Sequence, residues 1–249
     1  MRRLFPAILL LLGTAIARGQ SAPCPCPPAV PTPPPLWSGK AELSYLSTSG
    51  NTTTNSFGGG LELEYKPAPW TFTLKTAYLR ASTNSVTTAE TLTGDLKGVR
   101  DLTPRVDVFL AAHYLRNRFA GVRGLVGGDG GAGYKLLLGP VHSLRAEAGI
   151  GYTHEGQLVG GDRNYASARA GLGYKWTFSK TADFTNDVSF LEDLQASSNW
   201  IFSEKAAISA AMTSLLSLKA SWTLIYDHVP VPGFKRTDTV TSLALVAKF

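Results

Sequence analysis

Residues 166–178 read Ala-Ser-Ala-Arg-Ala-Gly-Leu-Gly-Tyr-Lys-Trp-Thr-Phe. Ala166, Ala168, Ala170, Leu172, Tyr174, Trp176 and Phe178 fall on one set of alternate positions. Ser167, Arg169, Gly171, Gly173, Lys175 and Thr177 fall on the other. Successive side chains of a β-strand point to opposite faces, so this stretch specifies a strand with one apolar and one polar face. Working outward, Leu144–Glu155 repeats the pattern, with Leu144, Ala146, Ala148, Ile150 and Tyr152 against Arg145, Glu147, Gly149, Gly151, Thr153 and Glu155. Leu216–Asp227 does so again, with Leu216, Leu218, Ala220, Trp222, Leu224 and Tyr226 against Ser217, Lys219, Ser221, Thr223, Ile225 and Asp227.

These runs last about 12 to 15 residues, whereas strands of soluble proteins average about five or six. A strand that crosses a membrane needs roughly 9–11 residues for the hydrocarbon and more for the rims. Tyr152, Tyr174, Trp176, Phe178, Trp222 and Tyr226 stand toward strand ends on the apolar face, where aromatic girdles meet the lipid interfaces. Turn signals at Thr48–Thr53, Pro67–Pro69, Ser82–Ser85, Asp101–Pro104, Gly139-Pro140, Gly160–Asp162 and Pro230–Gly233 divide the chain into about twelve strands. The pattern defines strands least sharply in 82–135 and 191–214, and glycine dilutes it most in Val122–Gly133.

Composition agrees. Of 249 residues, 44% are hydrophobic and 17% charged, below the roughly 25% charge of ordinary soluble domains. That excludes a long disordered chain. After residue 20 no apolar run reaches the length of a spanning helix, which excludes a helical membrane protein. The formal charge of +6 falls to +3 without Arg2, Arg3 and Arg18, and the basic residues are scattered rather than striped. No nucleic acid partner is expected.

Residues 1–19 read as a signal peptide, with basic Arg2 and Arg3, an apolar Leu4–Ala17 and small residues around Arg18. Residues 20–36 are a Pro-rich, extended and disordered linker reaching toward the cell wall from the periplasm. Cys24 and Cys26 lie within it, too close together to close a useful loop. Residues 37–249 form one domain.

A sheet with one continuously apolar face has to bury it, and in hydrocarbon no free sheet edge survives. The expected fold is therefore all-β: an antiparallel transmembrane β-barrel of about twelve strands, with outer membrane lipid against its apolar face. The polar face supplies the lumen charges, with Arg145, Glu147, Arg169, Lys175, Lys219 and Asp238 as the leading candidates. Glu62, Glu64, Lys66, Lys75, Asp95, Lys97, Asp107, Lys135, Glu155, Asp183, Asp187, Asp227 and Lys248 share that register. Twelve strands lie between filled eight-stranded barrels and open sixteen-stranded channels, and the short loops favour a filled or nearly closed lumen. In the last strand Phe249, Ala247, Leu245, Leu243 and Thr241 alternate with Lys248, Val246, Ala244, Ser242 and Val240. Phe249 closing such a strand resembles the signal that bacterial barrels present to their assembly machinery.

Trp37-Ser38-Gly39, Thr48-Ser49-Gly50-Asn51-Thr52, Gly131-Ala132-Gly133-Tyr134, Gly149-Ile150-Gly151-Tyr152, Leu218–Trp222 and Lys235–Asp238 occur in this order before Phe249. Together they resemble the YdiY-like family of bacterial outer membrane barrels, a domain of unknown function whose name describes a salt-induced outer membrane protein. The resemblance spans about 37–249 and implies a fold and an outer membrane location, with no established activity.

Chemistry-bearing motifs are sparse. Gly128–Gly133 matches G-x-G-x-x-G, but no helix follows it, so a glycine-rich loop or strand start is expected rather than a cofactor site. His113, His142, His154 and His228 lack zinc spacing and are expected at the rims. His154 beside Glu155, and His228 beside Asp227, cannot act as pairs, because neighbours on a strand point oppositely. No catalytic, cofactor or metal residue is assigned. The leading expectation is a porin-like, non-enzymatic barrel that passes small solutes or ions, or serves envelope osmotic tolerance. The alternative is an outer membrane hydrolase, phospholipase- or protease-like, with its active site at a rim.

Overall fold

The computed structural model describes residues 35–48 and 54–249. The expected signal peptide, nearly all of the Pro-rich linker with Cys24 and Cys26, and the turn at 49–53 lie outside the described residues. Twelve strands follow one another: β1 (Trp37–Thr48), β2 (Thr54–Tyr65), β3 (Trp70–Thr83), β4 (Val86–Asp101), β5 (Val106–Asn117) and β6 (Val122–Leu138). They continue as β7 (His142–Gln157), β8 (Asp162–Thr177), β9 (Ala182–Asp193), β10 (Trp200–Ala211), β11 (Leu216–Asp227) and β12 (Thr237–Lys248). One turn of 3-10 helix, Arg118–Ala120, interrupts them. Each strand pairs antiparallel with its sequence neighbours, and β1 pairs with β12, so the barrel closes with no edge strand. Closure is the solution that hydrocarbon demands, since every backbone polar group must find a partner within the sheet.

The alternation read from the sequence sorts inside from outside. Ile150, Leu110, Ile208, Leu243 and Leu245 point outward and are among the most exposed large side chains, Leu110 at 72% and Ile150 at 71%. Inside, Lys248, Lys40, Glu62, Lys75, Asp95 and His113 are successive register partners, an oblique band of charge climbing across β12 and β1–β5. Outer aromatic side chains gather at the two ends. Trp37 stacks on Tyr65 at 4.4 Å and Trp70 on Phe72 at 5.8 Å near one end; Trp200 packs on Phe190 and Tyr226 near the other.

The end where β1 begins and β12 finishes is here the lower end. Its connections, 66–69, 102–105, 139–141, 178–181 and 212–215, are uniformly short. Two of them share one construction. The Thr103 hydroxyl accepts from the Val106 amide at 2.9 Å, and the Thr213 hydroxyl accepts from the Leu216 amide at the same distance. Side-chain acceptors of this kind substitute for backbone partners in tight turns. The upper connections vary more, from the two-residue turn at Asn84-Ser85, both at positive φ, to the long segment 228–236.

Phe249 completes the lower seam. Its amide donates to the Gly39 carbonyl at 3.0 Å, and the Gly39 amide donates to the Phe249 carbonyl at 2.8 Å. The Phe249 ring lies over Gly39, in space that a Cβ would fill. This seam is short, pairing only Lys40–Leu43 with Lys248–Leu245, whereas β1 and β2 pair along their whole length.

One expectation fails here. Gly128–Gly133 is neither a loop nor a strand start: it is the middle of β6, paired on both sides. Glycine has no side chain with which to display alternation, so the strand was hidden in the sequence.

Candidate functional site: the lumen

The interior divides into a packed wall and an open one. On β4–β8 large charged side chains pair with one another across the strands. Arg145 on β7 donates from Nε and Nη2 to the two carboxylate oxygens of Asp107 on β5, at 3.0 and 2.5 Å, and from Nη1 to Glu147. Lys97 on β4 donates to Glu147 at 2.5 Å and rides over the Phe109 ring at 4.5 Å. Asp107 is fully enclosed. The intervening β6 makes room: a Cβ on Gly133 would strike both Arg145 and Asp107. A bidentate Arg–carboxylate pair of this kind is directional as well as strong.

Above it lies a second group. The His113 ring on β5 occupies the space over Gly127, with Nδ1 3.2 Å from an Asp129 oxygen, and Arg169 on β8 approaches the same carboxylate at 3.5 Å. His113 is therefore inside the barrel wall and not at a rim, contrary to the expectation for all four histidines. The other three do stand near strand ends: His142 contacts the Tyr174 hydroxyl, His154 the Asn164 amide oxygen and His228 the Trp200 ring.

The remaining wall, β9–β12 and β1–β3, presents small residues and isolated ion pairs, Lys40–Glu62 and Lys219–Glu42, around two cavities. The lower cavity, of about 560 Å³, is lined by Lys40, Glu42, Lys75, Lys175, Lys219 and Lys248 among others. The upper, of about 680 Å³, is lined by Thr91, Arg145, Glu147, Ser203, Thr223 and Asp238 among others. Ala77, Thr93, Asp95, Gly173, Asp187 and Lys205 border both, so the cavities meet at a waist. Asp95 on β4 and Lys205 on β10 stand on opposite sides of the twelve-strand ring, with Asp187 beside Lys205. The lumen is thus filled on one side only.

All six leading candidates face this interior. Arg145 and Glu147 belong to one network, and Arg169 joins the His113–Asp129 group. Lys219 donates to Glu42 at 2.5 Å, while Lys175 and Asp238 line the lower and upper cavities. Sequence reading missed Lys40, Glu42, Asp129 and Lys205; Glu42 and Lys40 alternate in β1 as cleanly as the residues that were found. Among the described residues no group of three or more His, Cys, Asp or Glu could hold a metal ion.

The upper mouth carries a strap. Segment 228–236 joins β11 to β12, six strands around the ring from the β5–β6 connection. Yet the Val231 and Phe234 side chains lie within 3 Å of where a Cβ on Gly121 would stand, and Gly121 has φ +82°. The segment therefore crosses the mouth. Val231, 3% exposed, is buried there, as are Val122, Leu125 and Tyr165.

Fold and interior define a membrane β-barrel of the outer membrane type, with a charged, water-accessible lumen. The chain belongs to the family described as "Protein of unknown function, DUF481", which residues 41–249 match. It is similar to the uncharacterized protein YdiY of Escherichia coli (strain K12), 24% identical over 208 residues, covering 83% of this chain and 81% of that protein. Among solved structures it is similar to an outer membrane channel from Pseudomonas putida F1, with 13% identity, TM-score 0.50, and coverage of 86% of this chain and 95% of that one. It is also similar to the NanC porin, with 7% identity, TM-score 0.48, and coverage of 85% and 97%. The likeness to the Pseudomonas channel shows the fold alone.

Proposed function

We propose that the protein passes small ions or polar solutes across a bacterial outer membrane, without enzymatic chemistry. The observation that carries this reading is the pair of cavities meeting at Asp95, Asp187 and Lys205, a path whose waist sets opposite charges across the lumen. Lumen rings of charge select ions by sign. The strap 228–236 is the element that restricts entry from above. A contribution to osmotic or salt tolerance of the envelope is the physiological form of this activity, suggested by the name of the YdiY-like family. In the same reading residues 1–19 direct export and the lower end faces the periplasm. The Pro-rich segment then reaches toward the cell wall, and the assembly machinery engages the last strand through Phe249. The hydrolase alternative gains nothing from the rims, where His154 bonds to Asn164 on the outer face while Glu155 points inward.

The test is ion selectivity of the folded protein in a planar bilayer under a tenfold KCl gradient. Lys205→Asp should move the reversal potential toward the potassium value, and Asp95→Asn should move it toward chloride. Channels that ignore both changes would show that ions do not pass the waist. Absence of any conductance from folded protein would overturn the reading.

A further inference from the structure

Outward-facing arginines in the upper half of the barrel are confined to one sector. Arg80 stands on the outer face of β3, Arg116 on that of β5 and Arg123 on that of β6, and exposed Arg118 sits on the 3-10 turn between β5 and β6. From β7 around to β2, the outward positions above mid-depth carry no Lys or Arg among the described residues. The choice of residue is also distinct. Most cations inside the barrel are lysine, whereas no outward strand position carries one among the described residues.

The sector lies just above the upper outward tyrosines. Arg80 is two residues above Tyr78, and Arg116 two residues above Tyr114. Arg123 reaches across β7, its Nε and Nη2 lying 3.3 Å from where a Cβ on Gly156 would stand, and Gly156 is four residues above Tyr152. Tyrosines in such a girdle mark the boundary between hydrocarbon and headgroups. Two carboxylates hold the guanidinium groups in place. Glu90 is the register partner of Arg80 and lies 4.0 Å from Arg116, and Asp162 accepts from Arg123 at 2.6 Å. Arg80 also donates to the Thr87 hydroxyl at 3.2 Å. Four guanidinium groups against two carboxylates leave the sector positive, and Arg123 stays 60% exposed. A planar guanidinium fork matches phosphate oxygens in a way that an ammonium does not.

We infer that this sector binds the phosphate groups of a lipid headgroup in the leaflet at the upper end. The arginines spread over four adjacent strands, three strand spacings or about 14 Å, a width that suits a headgroup with more than one phosphate. Directly below them the outer wall is apolar, with Leu92 and Leu96 on β4 and Leu110 on β5 exposed to receive the acyl chains of the same molecule. That continuity of cationic rim and apolar wall favours a lipid over a free phosphate. With the short turns on the periplasmic side, as in barrels of this type, the sector meets the outer leaflet. The inference rests on the barrel lying in a bilayer, and not on whether the lumen conducts.

The experiment is native mass spectrometry of the folded protein in mild detergent, after incubation with lipid A, a disaccharide lipid carrying two phosphates, or with phosphatidylethanolamine. The wild type should retain lipid A at least tenfold better than phosphatidylethanolamine. R80Q, R116Q and R123Q together should abolish that preference while the barrel still migrates as a folded species. R100Q, an outward arginine at the lower end, should leave the preference unchanged. If the triple variant fails to fold, R118Q on the exposed turn supplies the second measurement and should lower retention at least threefold. Millimolar inorganic pyrophosphate should leave the lipid bound; its displacement would assign a free-anion site and overturn the lipid reading. A wild type without preference for lipid A, or arginine variants that retain it as the wild type does, would overturn the inference while leaving the channel reading intact.

Discussion

Arg145→Leu is the substitution whose consequence the structure fixes most tightly. It removes two hydrogen bonds to Asp107, at 3.0 and 2.5 Å, and one to Glu147. Glu147 keeps Lys97 at 2.5 Å, but Asp107 has zero exposure and, among the described residues, no other ion-pair partner. Removing one member of a buried pair typically costs about 3–5 kcal/mol, because the survivor is left charged and dry. Arg145 retains 25% side-chain exposure to the lumen, so the lower figure, about 3 kcal/mol, is the appropriate one. That corresponds to roughly two decades in the folding equilibrium constant. The reciprocal change Asp107→Leu should cost less, since Arg145 still holds Glu147 and lies near Phe109. Removing both should recover most of the loss, giving a coupling of about 2 kcal/mol in the cycle. Urea titration in detergent micelles, read by the heat-modifiable mobility of the folded barrel, measures all four proteins. A loss below about 1 kcal/mol for Arg145→Leu, or simple additivity of the two changes, would refute the claim that Asp107 depends on Arg145.

Further outcomes follow from the same geometry. Ile150→Arg, at the outward midpoint of β7, should cost about 2–4 kcal/mol by the same titration, whereas Thr93→Arg, beside both cavities, should cost less than about 1 kcal/mol. Gly39→Val would drive a side chain into the Phe249 ring at the four-pair seam, and should slow barrel closure in a lipid-vesicle folding assay at least tenfold. Gly121→Val faces both a clash with Val231 and Phe234 and an unfavourable φ. It should release the strap and raise single-channel conductance at least twofold, at a stability cost of about 1–3 kcal/mol.

The strands were legible because a two-residue period survives any uncertainty about partners. β7, β8, β11 and β12 carry six or more clean alternations each, and their inward charges could be assigned residue by residue. What the sequence could not display was which charges meet. Arg145 reaches Asp107 across an intervening strand, and Lys219 reaches Glu42 from 177 residues away, because the stagger of the barrel sets those pairings. The glycines of β6 were opaque for a related reason. Their function is to be absent, leaving volume for His113, Arg145 and Asp107, and nothing local records what fills that volume. The strap was half visible: Pro230, Pro232 and Gly233 mark a turn, but Val231 and Phe234 were apolar residues in a loop whose cover lies on the far rim.

The account stands on the sheet having lipid on one face and water on the other. Adjacent residues Ile208 and Ser209 on β10 test this most directly, since Ile208 is 53% exposed on the outer face while Ser209 lines the lower cavity. Each would be changed singly to cysteine in a protein lacking Cys24 and Cys26, labelled with an environment-sensitive fluorophore, and reconstituted with doxyl-labelled lipid. The account predicts blue-shifted, strongly quenched emission from position 208 and red-shifted, unquenched emission from position 209. Equal quenching at the two positions would contradict it.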